Sequence, residues 1–179
     1  PSTGQTSCDD ADAGYYVSTT AATSQTACAV GTYQPSTGQS SCTDASAGYY
    51  VSTTAATSQT ACAAGTYQPS TGQSSCGDAD PGHYVDHSAS AEQYECVLGT
   101  FQPYSGQSSC LLADHGHYVN TNAATSQTAC AAGTYQANTG QSSCLDADVG
   151  YFVAGPGSGY QAACSPGTYQ ANTGQSSCL

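Results

Sequence analysis

The eleven cysteines of this chain fall at 8, 28, 42, 62, 76, 96, 110, 130, 144, 164 and 178, and their gaps alternate 20 and 14 without exception. That sets a 34-residue period, with a shorter one inside it. Gly-x-aromatic recurs at Gly14, Gly31, Gly48, Gly65, Gly82, Gly99, Gly116, Gly133, Gly150 and Gly167, always 17 residues apart. The aromatic is Tyr except at Phe101 and Phe152, and the residue after it alternates Val and Gln. Every cysteine has Gln three places before it. Such self-similarity specifies a linear array of small units whose neighbours complete one another. The repeats divide the chain as 1–13 (the end of a preceding repeat), 14–47, 48–81, 82–115 (divergent), 116–149 and 150–179 (truncated).

A 34-residue period also suits stacked helix pairs, but the composition refuses them. Leu, Val and Phe together number 15 among 179 residues, and Ile, Met and Trp are absent. Leu-rich stripes at helical spacing are therefore missing. A Gly every 17 residues leaves only Ala21–Val30 and its copies as candidate helix, which is marginal alone. The short unit, Gly65-Thr-Tyr-Gln-Pro-Ser-Thr-Gly-Gln-Ser-Ser-Cys76, reads instead as a β-hairpin. An aromatic strand meets a Pro/Ser/Thr/Gly turn and returns through Gln-Ser-Ser. The longer unit inserts Ser/Thr/Ala-rich residues, as at 51–58, and reads as a looser hairpin or loop. The expected fold class is small, disulfide-rich and all-β: a linear array of short stapled hairpins forming an elongated rod without a conventional core.

The charge removes several functions. The chain has no Lys or Arg and a formal charge of −12. It cannot neutralise phosphates, which excludes nucleic acid as a partner and disfavours anionic membranes and nucleotide sites. No apolar run reaches membrane-spanning length, so this segment is expected to insert in no membrane. No C-x-x-C pair occurs, which argues against zinc ribbons and redox dithiols. Regular cysteines among small residues imply structural disulfides and an extracellular or cell-surface location.

The module Cys164-Ser-Pro-Gly-Thr-Tyr-Gln-Ala-Asn-Thr-Gly-Gln-Ser-Ser-Cys178 resembles one unit of the ephrin-receptor-like cysteine-rich repeats. It is also similar to the smallest disulfide module of tumour-necrosis-factor-receptor-like ectodomains. Those families form elongated extracellular stalks, with a bond closing each Gly-x-Tyr hairpin. The resemblance implies the pairs Cys28–Cys42, Cys62–Cys76, Cys96–Cys110, Cys130–Cys144 and Cys164–Cys178. Where the family places an opening cysteine before the second Gly-x-Tyr, this chain has Ala45, Ala79, Ala113 and Ala147, so the long units are expected to lack a staple of their own. Residues 1–8 match Pro35–Cys42 except for Thr6, so Cys8 is expected to pair with a cysteine upstream, in a segment of a longer polymer. Spacing alone leaves the other register open, in which Cys8–Cys28 and its successors close 20-residue loops and Cys178 is left over.

Few side chains offer chemistry. Asp10 with Asp12, Asp78 with Asp80, and Asp146 with Asp148 form Asp-Ala-Asp segments that offer two hard oxygens to Ca²⁺. Asp44 and Asp114 occupy related places, and solvated linker is the plainer role for all of them. His83 and His117 fill a slot that is Tyr elsewhere, while His87 and His115 are isolated, so the histidines make no ligand set. No catalytic residue stands out from the repeating Ser, His and Asp, and no cofactor other than Ca²⁺ is suggested. Ser18, Thr19, Thr20, Thr23, Ser52, Thr53, Thr54 and Thr57 lie in the long units, interleaved with Ala, as candidate O-glycan carriers. Val97, Leu98, Phe101, Tyr104, Leu111 and Leu112 gather large apolar residues in one unit, for neighbour packing or for recognition.

The reading that follows is a non-enzymatic extracellular structural protein that self-associates into a fibre, surface filament or stalk. The alternative is an adhesin or receptor-like ectodomain that binds a protein or carbohydrate through its divergent units. Shape is testable at once. A compact domain of this length has a radius of gyration of ~16 Å. Ten units advancing ~10–17 Å each, between sheet spacing and a five-residue strand, give ~29–49 Å instead. Small-angle scattering of the oxidised chain near the lower figure rejects the linear array.

Overall fold

The computed structural model describes residues 7–179, and the part of the opening match that falls on residues 1–6 lies outside them. Among the described residues there is no helix, and every strand is two residues long. The chain is small, disulfide-rich and all-β. It divides into two compact units, the first ending at Ala79 and taking in Val85–Gln93, the second comprising Asp80–Tyr84 and Tyr94–Leu179.

In the first unit, β1 (Tyr15–Tyr16) pairs with β2 (Thr26–Ala27), and β3 (Thr32–Tyr33) with β4 (Thr43–Asp44). There too β5 (Tyr49–Tyr50) pairs with β6 (Thr60–Ala61), and β7 (Thr66–Tyr67) with β8 (Gly77–Asp78). In the second, β9 (His83–Tyr84) pairs with β10 (Tyr94–Glu95), β11 (Thr100–Phe101) with β12 (Leu111–Leu112), and β13 (His117–Tyr118) with β14 (Thr128–Ala129). Next come β15 (Thr134–Tyr135) with β16 (Leu145–Asp146), and β17 (Tyr151–Phe152) with β18 (Ala162–Ala163). All nine pairs are antiparallel. After them, Tyr169 and Leu179 exchange backbone bonds of 3.2 and 2.9 Å, a single residue pair in the same register.

Two expectations need correction. The return strand is not Gln-Ser-Ser but the dipeptide just after the cysteine, such as Thr43–Asp44. The reason lies in where the Gln-Ser-Ser carbonyls go. Gln39 accepts the Val17 N–H at 3.0 Å, and Ser41 accepts the Gln34 side-chain amide at 2.9 Å. Both are therefore committed before the ladder can use them. Nor does the long unit contain an insertion. Tyr15 faces Ala27 and Thr32 faces Asp44, the same span of twelve residues. The hairpins are equal in length, and the unequal cysteine gaps arise because alternate hairpins carry none. Two-residue strands also remove the five-residue strand used for the longer rise per unit.

Strands this short cannot stand alone, and bonds between successive hairpins supply the rest. In the first compact unit the N–H of Gly14, Gly31 and Gly48 donates to the carbonyls of Gln34, Val51 and Gln68, each at 2.8 Å. In the second, Gly99, Gly116 and Gly133 do the same to Val119, Gln136 and Val153 at 2.8 Å. A second series starts at the turns. Gly72 N–H donates to Ala45 and Gly140 N–H to Ala113, at 2.8 and 2.7 Å. These turns come so near that a Cβ on Gly31 would collide with the Gly72 carbonyl, and one on Gly99 with that of Gly140. Both glycines also have positive φ, 84° and 81°. The place needs a residue with no side chain on two separate counts.

The interior of each unit is built from small groups. Cys28, Ala45, Cys62 and Ala79 are fully buried in the first unit, as are Cys96, Ala113, Cys130 and Ala147 in the second. Beside them lie the residues that follow each aromatic. Val51, Val85, Val119 and Val153 are buried, and so are Gln34, Gln102, Gln136 and Gln170. A buried amide needs partners. Gln102 Nε2 donates to the Ser109 carbonyl at 2.8 Å, and its Oε1 accepts the Tyr104 N–H at 3.2 Å. The alternation thus has a cause: Val fills space in one hairpin type, and Gln fills space while satisfying turn backbone in the other.

Candidate functional site: two closures and the surface they hold

The two hairpin types are closed differently. The structure bonds Cys28 to Cys42, Cys62 to Cys76, Cys96 to Cys110, Cys130 to Cys144 and Cys164 to Cys178, each with a Cα separation of 5.8 Å. In each pair the second cysteine directly precedes the return segment. Cys8 is exposed and its thiol is free in the structure.

In the alternate hairpins a glutamine side chain stands where that second cysteine would be. Gln25 precedes β2 as Cys42 precedes β4. Its Oε1 accepts the Asp12 N–H and its Nε2 donates to Asp12 Oδ2, both at 2.7 Å. Gln127 makes the same pair with Asp114, both at 2.6 Å. Gln161 makes it with Asp148, at 2.6 and 2.7 Å. Gln59 makes only the backbone half, accepting the Ser46 N–H at 2.7 Å, because Ser46 has no carboxylate. The sequence reading missed this clamp. Its signal was visible: Gln three places before the cysteine, and Asp thirteen before the Gln, at a 34-residue period.

Ala45 is the positional equivalent of Cys28. Both are fully exposed to nothing but protein, and the Ala45 N–H donates to Gly31 as that of Cys28 donates to Gly14, at 2.8 and 2.9 Å. Replacing Ala45 and Gln59 together with Cys should therefore give a sixth disulfide on oxidation. A closed loop of this size stabilises by about 3 kcal/mol, less about 1 kcal/mol for the lost glutamine bond. Thiol titration after oxidation checks it; two titratable thiols beyond Cys8 would refute the equivalence.

The clamp also locates the acidic residues. Asp12 and Asp148 spend one carboxylate oxygen on a glutamine, while Asp10 and Asp146 lie beside the turn glycines Gly38 and Gly174. Asp78 is exposed in β8, and the Asp80 carbonyl accepts the His83 N–H at 2.9 Å. Among the described residues, no group of three or more His, Cys, Asp or Glu could hold a metal ion. His115 Nδ1 donates to the Ala137 carbonyl at 2.7 Å, and His83 and His117 contact nearby carbonyls through the same nitrogen. His87 Nδ1 lies 2.7 Å from Asp86 Oδ1, and this bond holds the Asp86 carboxyl below its ordinary value.

Ser18, Thr19, Thr20, Thr23, Ser52, Thr53, Thr54 and Thr57 are all exposed. They flank turns in which Ala21 and Ala55 adopt positive φ, 56° and 53°. The apolar group is exposed as well. Val97 shows 63% of its surface and Tyr104 68%, with Leu98, Leu111 and Leu112 also exposed and Phe101 half-buried.

Repeated short hairpins around buried cysteines and alanines define a small disulfide-rich repeat protein. Residues 14–62 match the family described as tyrosine-protein kinase ephrin type A/B receptor-like. The ephrin-receptor-like resemblance, which the sequence carries closely in all five short units and partly in the long ones, is thus shown over residues 14–62. No curated protein matches the chain.

Proposed function

We propose that this chain is a non-enzymatic extracellular structural protein, the repeat region of a fibre, surface filament or stalk. One observation supports this most: the same antiparallel hairpin register recurs in both units, so similar surfaces are presented many times over. Repeated surfaces generate open-ended contacts when the symmetry relating copies does not close. Five disulfides need an oxidising compartment, consistent with an ectodomain type of repeat. No helix among the described residues is long and apolar enough to cross a membrane. The exposed Ser/Thr turns are proposed to carry O-glycans. Lacking Lys and Arg, the array offers trypsin-like proteases no cleavage site.

The test is the association state of the oxidised chain across concentration, with and without Ca²⁺, alongside intact mass of native material. Concentration-dependent filaments and hexose-sized mass increments support the reading. A strictly monomeric, unmodified chain overturns it. A second reading, a receptor-like ectodomain or adhesin, is favoured by one observation: the exposed apolar residues between 97 and 112 occur in one repeat only.

A further inference from the structure

The third short hairpin departs from its copies in a concerted way. Where it has Val97 and Leu98, the others have Ala29–Val30, Ala63–Ala64, Ala131–Ala132 and Ser165–Pro166. Tyr104 replaces Ser36, Ser70, Asn138 and Asn172. Leu111 and Leu112 stand where the copies have Thr43–Asp44, Gly77–Asp78 and Leu145–Asp146, so the change at 112 also deletes a carboxylate. The hairpin folds as its copies do, with the same register and the same 5.8 Å Cα separation at its disulfide. These side chains are therefore not needed to form it. Three large side chains are placed together: Val97 and Leu111 each follow a cysteine of the bridged pair Cys96–Cys110, and Leu111 faces Phe101 across the ladder, while Leu112 takes the other face, beside Gly140. Large apolar groups gathered and left in water mark an interaction surface.

The rim of this surface selects its occupant. Glu95, exposed just before the hairpin in the chain, and Asp114, exposed just after it with one carboxylate oxygen on Gln127, carry negative charge, and no residue of the chain carries a compensating Lys or Arg. A second copy meeting it patch to patch would set these carboxylates against their own kind. We propose that the hairpin 96–112 docks a polypeptide segment whose apolar side chains are flanked by Lys or Arg; this rests on the ectodomain reading above. Val97, Phe101 and Leu111 bury against the apolar centre of that segment. Glu95 and Asp114 meet its cationic flanks and set a dependence on salt.

The probe is the peptide Arg-Arg-Leu-Trp-Leu-Arg-Arg, titrated by tryptophan fluorescence into the oxidised chain, which has no Trp of its own. Two controls replace its Arg by Glu, or its Leu-Trp-Leu centre by Ser-Trp-Ser. The variant Val97→Ala, Leu98→Ala, Tyr104→Ser, Leu111→Thr, Leu112→Asp uses only letters that the copies already hold, so it keeps the fold. Its five disulfides are checked by mass. Binding to the wild-type chain should be at least about tenfold tighter than binding to the variant, and about tenfold tighter than that of either control peptide. Equal binding to the variant, or equal binding of the Glu peptide, overturns the proposal. So does a wild-type dimer that the variant abolishes, or equal capture by zwitterionic phosphatidylcholine vesicles. A second variant gives residues 86–95 the letters of 52–61. If that variant loses the peptide while the first retains it, this proposal fails and recognition through a divergent unit stands.

Discussion

Gly99→Ala should cost about 2–5 kcal/mol, combining about 1–2 for a left-handed backbone with about 1–3 for displacing packed neighbours. The facing group is the Gly140 carbonyl, which belongs to backbone and cannot rotate aside as a long side chain would. Moving it disturbs the Gly140 bond to Ala113 and the Gly99 bond to Val119 together. Two other glycines separate the contributions. Gly150 has positive φ, 80°, but nothing within 4 Å of a Cβ, so Gly150→Ala should lose only the backbone part, about 1–2 kcal/mol. Gly155 meets nothing within 4 Å and has no positive φ, so Gly155→Ala should change stability by less than about 0.5 kcal/mol. Urea unfolding of the three oxidised variants should rank them in that order. Gly99→Ala melting with Gly155→Ala would show that close approach between hairpins contributes nothing.

The second large effect belongs to the disulfides. Cys62→Ser should open the β7–β8 hairpin, leave Cys76 as a half-buried thiol, and place a hydroxyl in a fully buried site. Loss of the closed loop costs about 3 kcal/mol, and an unpartnered hydroxyl there adds about 1–3. The adjacent hairpins should loosen most, because each bonds to the next through its glycine N–H. Full reduction should disorder the whole array, since 15 Leu, Val and Phe residues cannot replace five covalent closures. Hydrogen exchange reports the first result and circular dichroism the second. Peptide mapping with a non-tryptic protease identifies the register; a Cys42–Cys62 product from native material would falsify it.

The fold class was legible because periodic residues carry it. Gly at every seventeenth place forbade long helices, and the Thr-Tyr dipeptides that follow it fell in strands such as Thr32–Tyr33 and Thr66–Tyr67. The return strand was not legible. Nothing in the letters of Gln39-Ser40-Ser41 says that two of their carbonyls are taken by Val17 and by the Gln34 side chain. Those bonds join residues seven and twenty-two apart, beyond the reach of local propensity. The same blindness turned equal hairpins into a short and a long one, since cysteine was taken as the ruler. Gln25 and Asp12 were each noticed, one as a companion of cysteine and the other as an acidic residue. Only the geometry joins them, and with that the long hairpin gains a closure the cysteines do not provide.

Because the two closures alternate while the hairpins stay equal, the length of such a chain can change by editing, but only in whole multiples of its pattern. Excising 48–81 would carry away one hairpin of each type and join residue 47 to Gly82, which stands at the same place in the pattern as Gly48, so the two closures go on alternating. Excising 45–61 would instead bring Cys42 within three residues of Cys62 and set two glutamines, Gln34 and Gln68, in successive hairpins with no Val between them. A change of 34 residues therefore keeps every cysteine with its own partner, whereas one of 17 leaves a cysteine beside the wrong one.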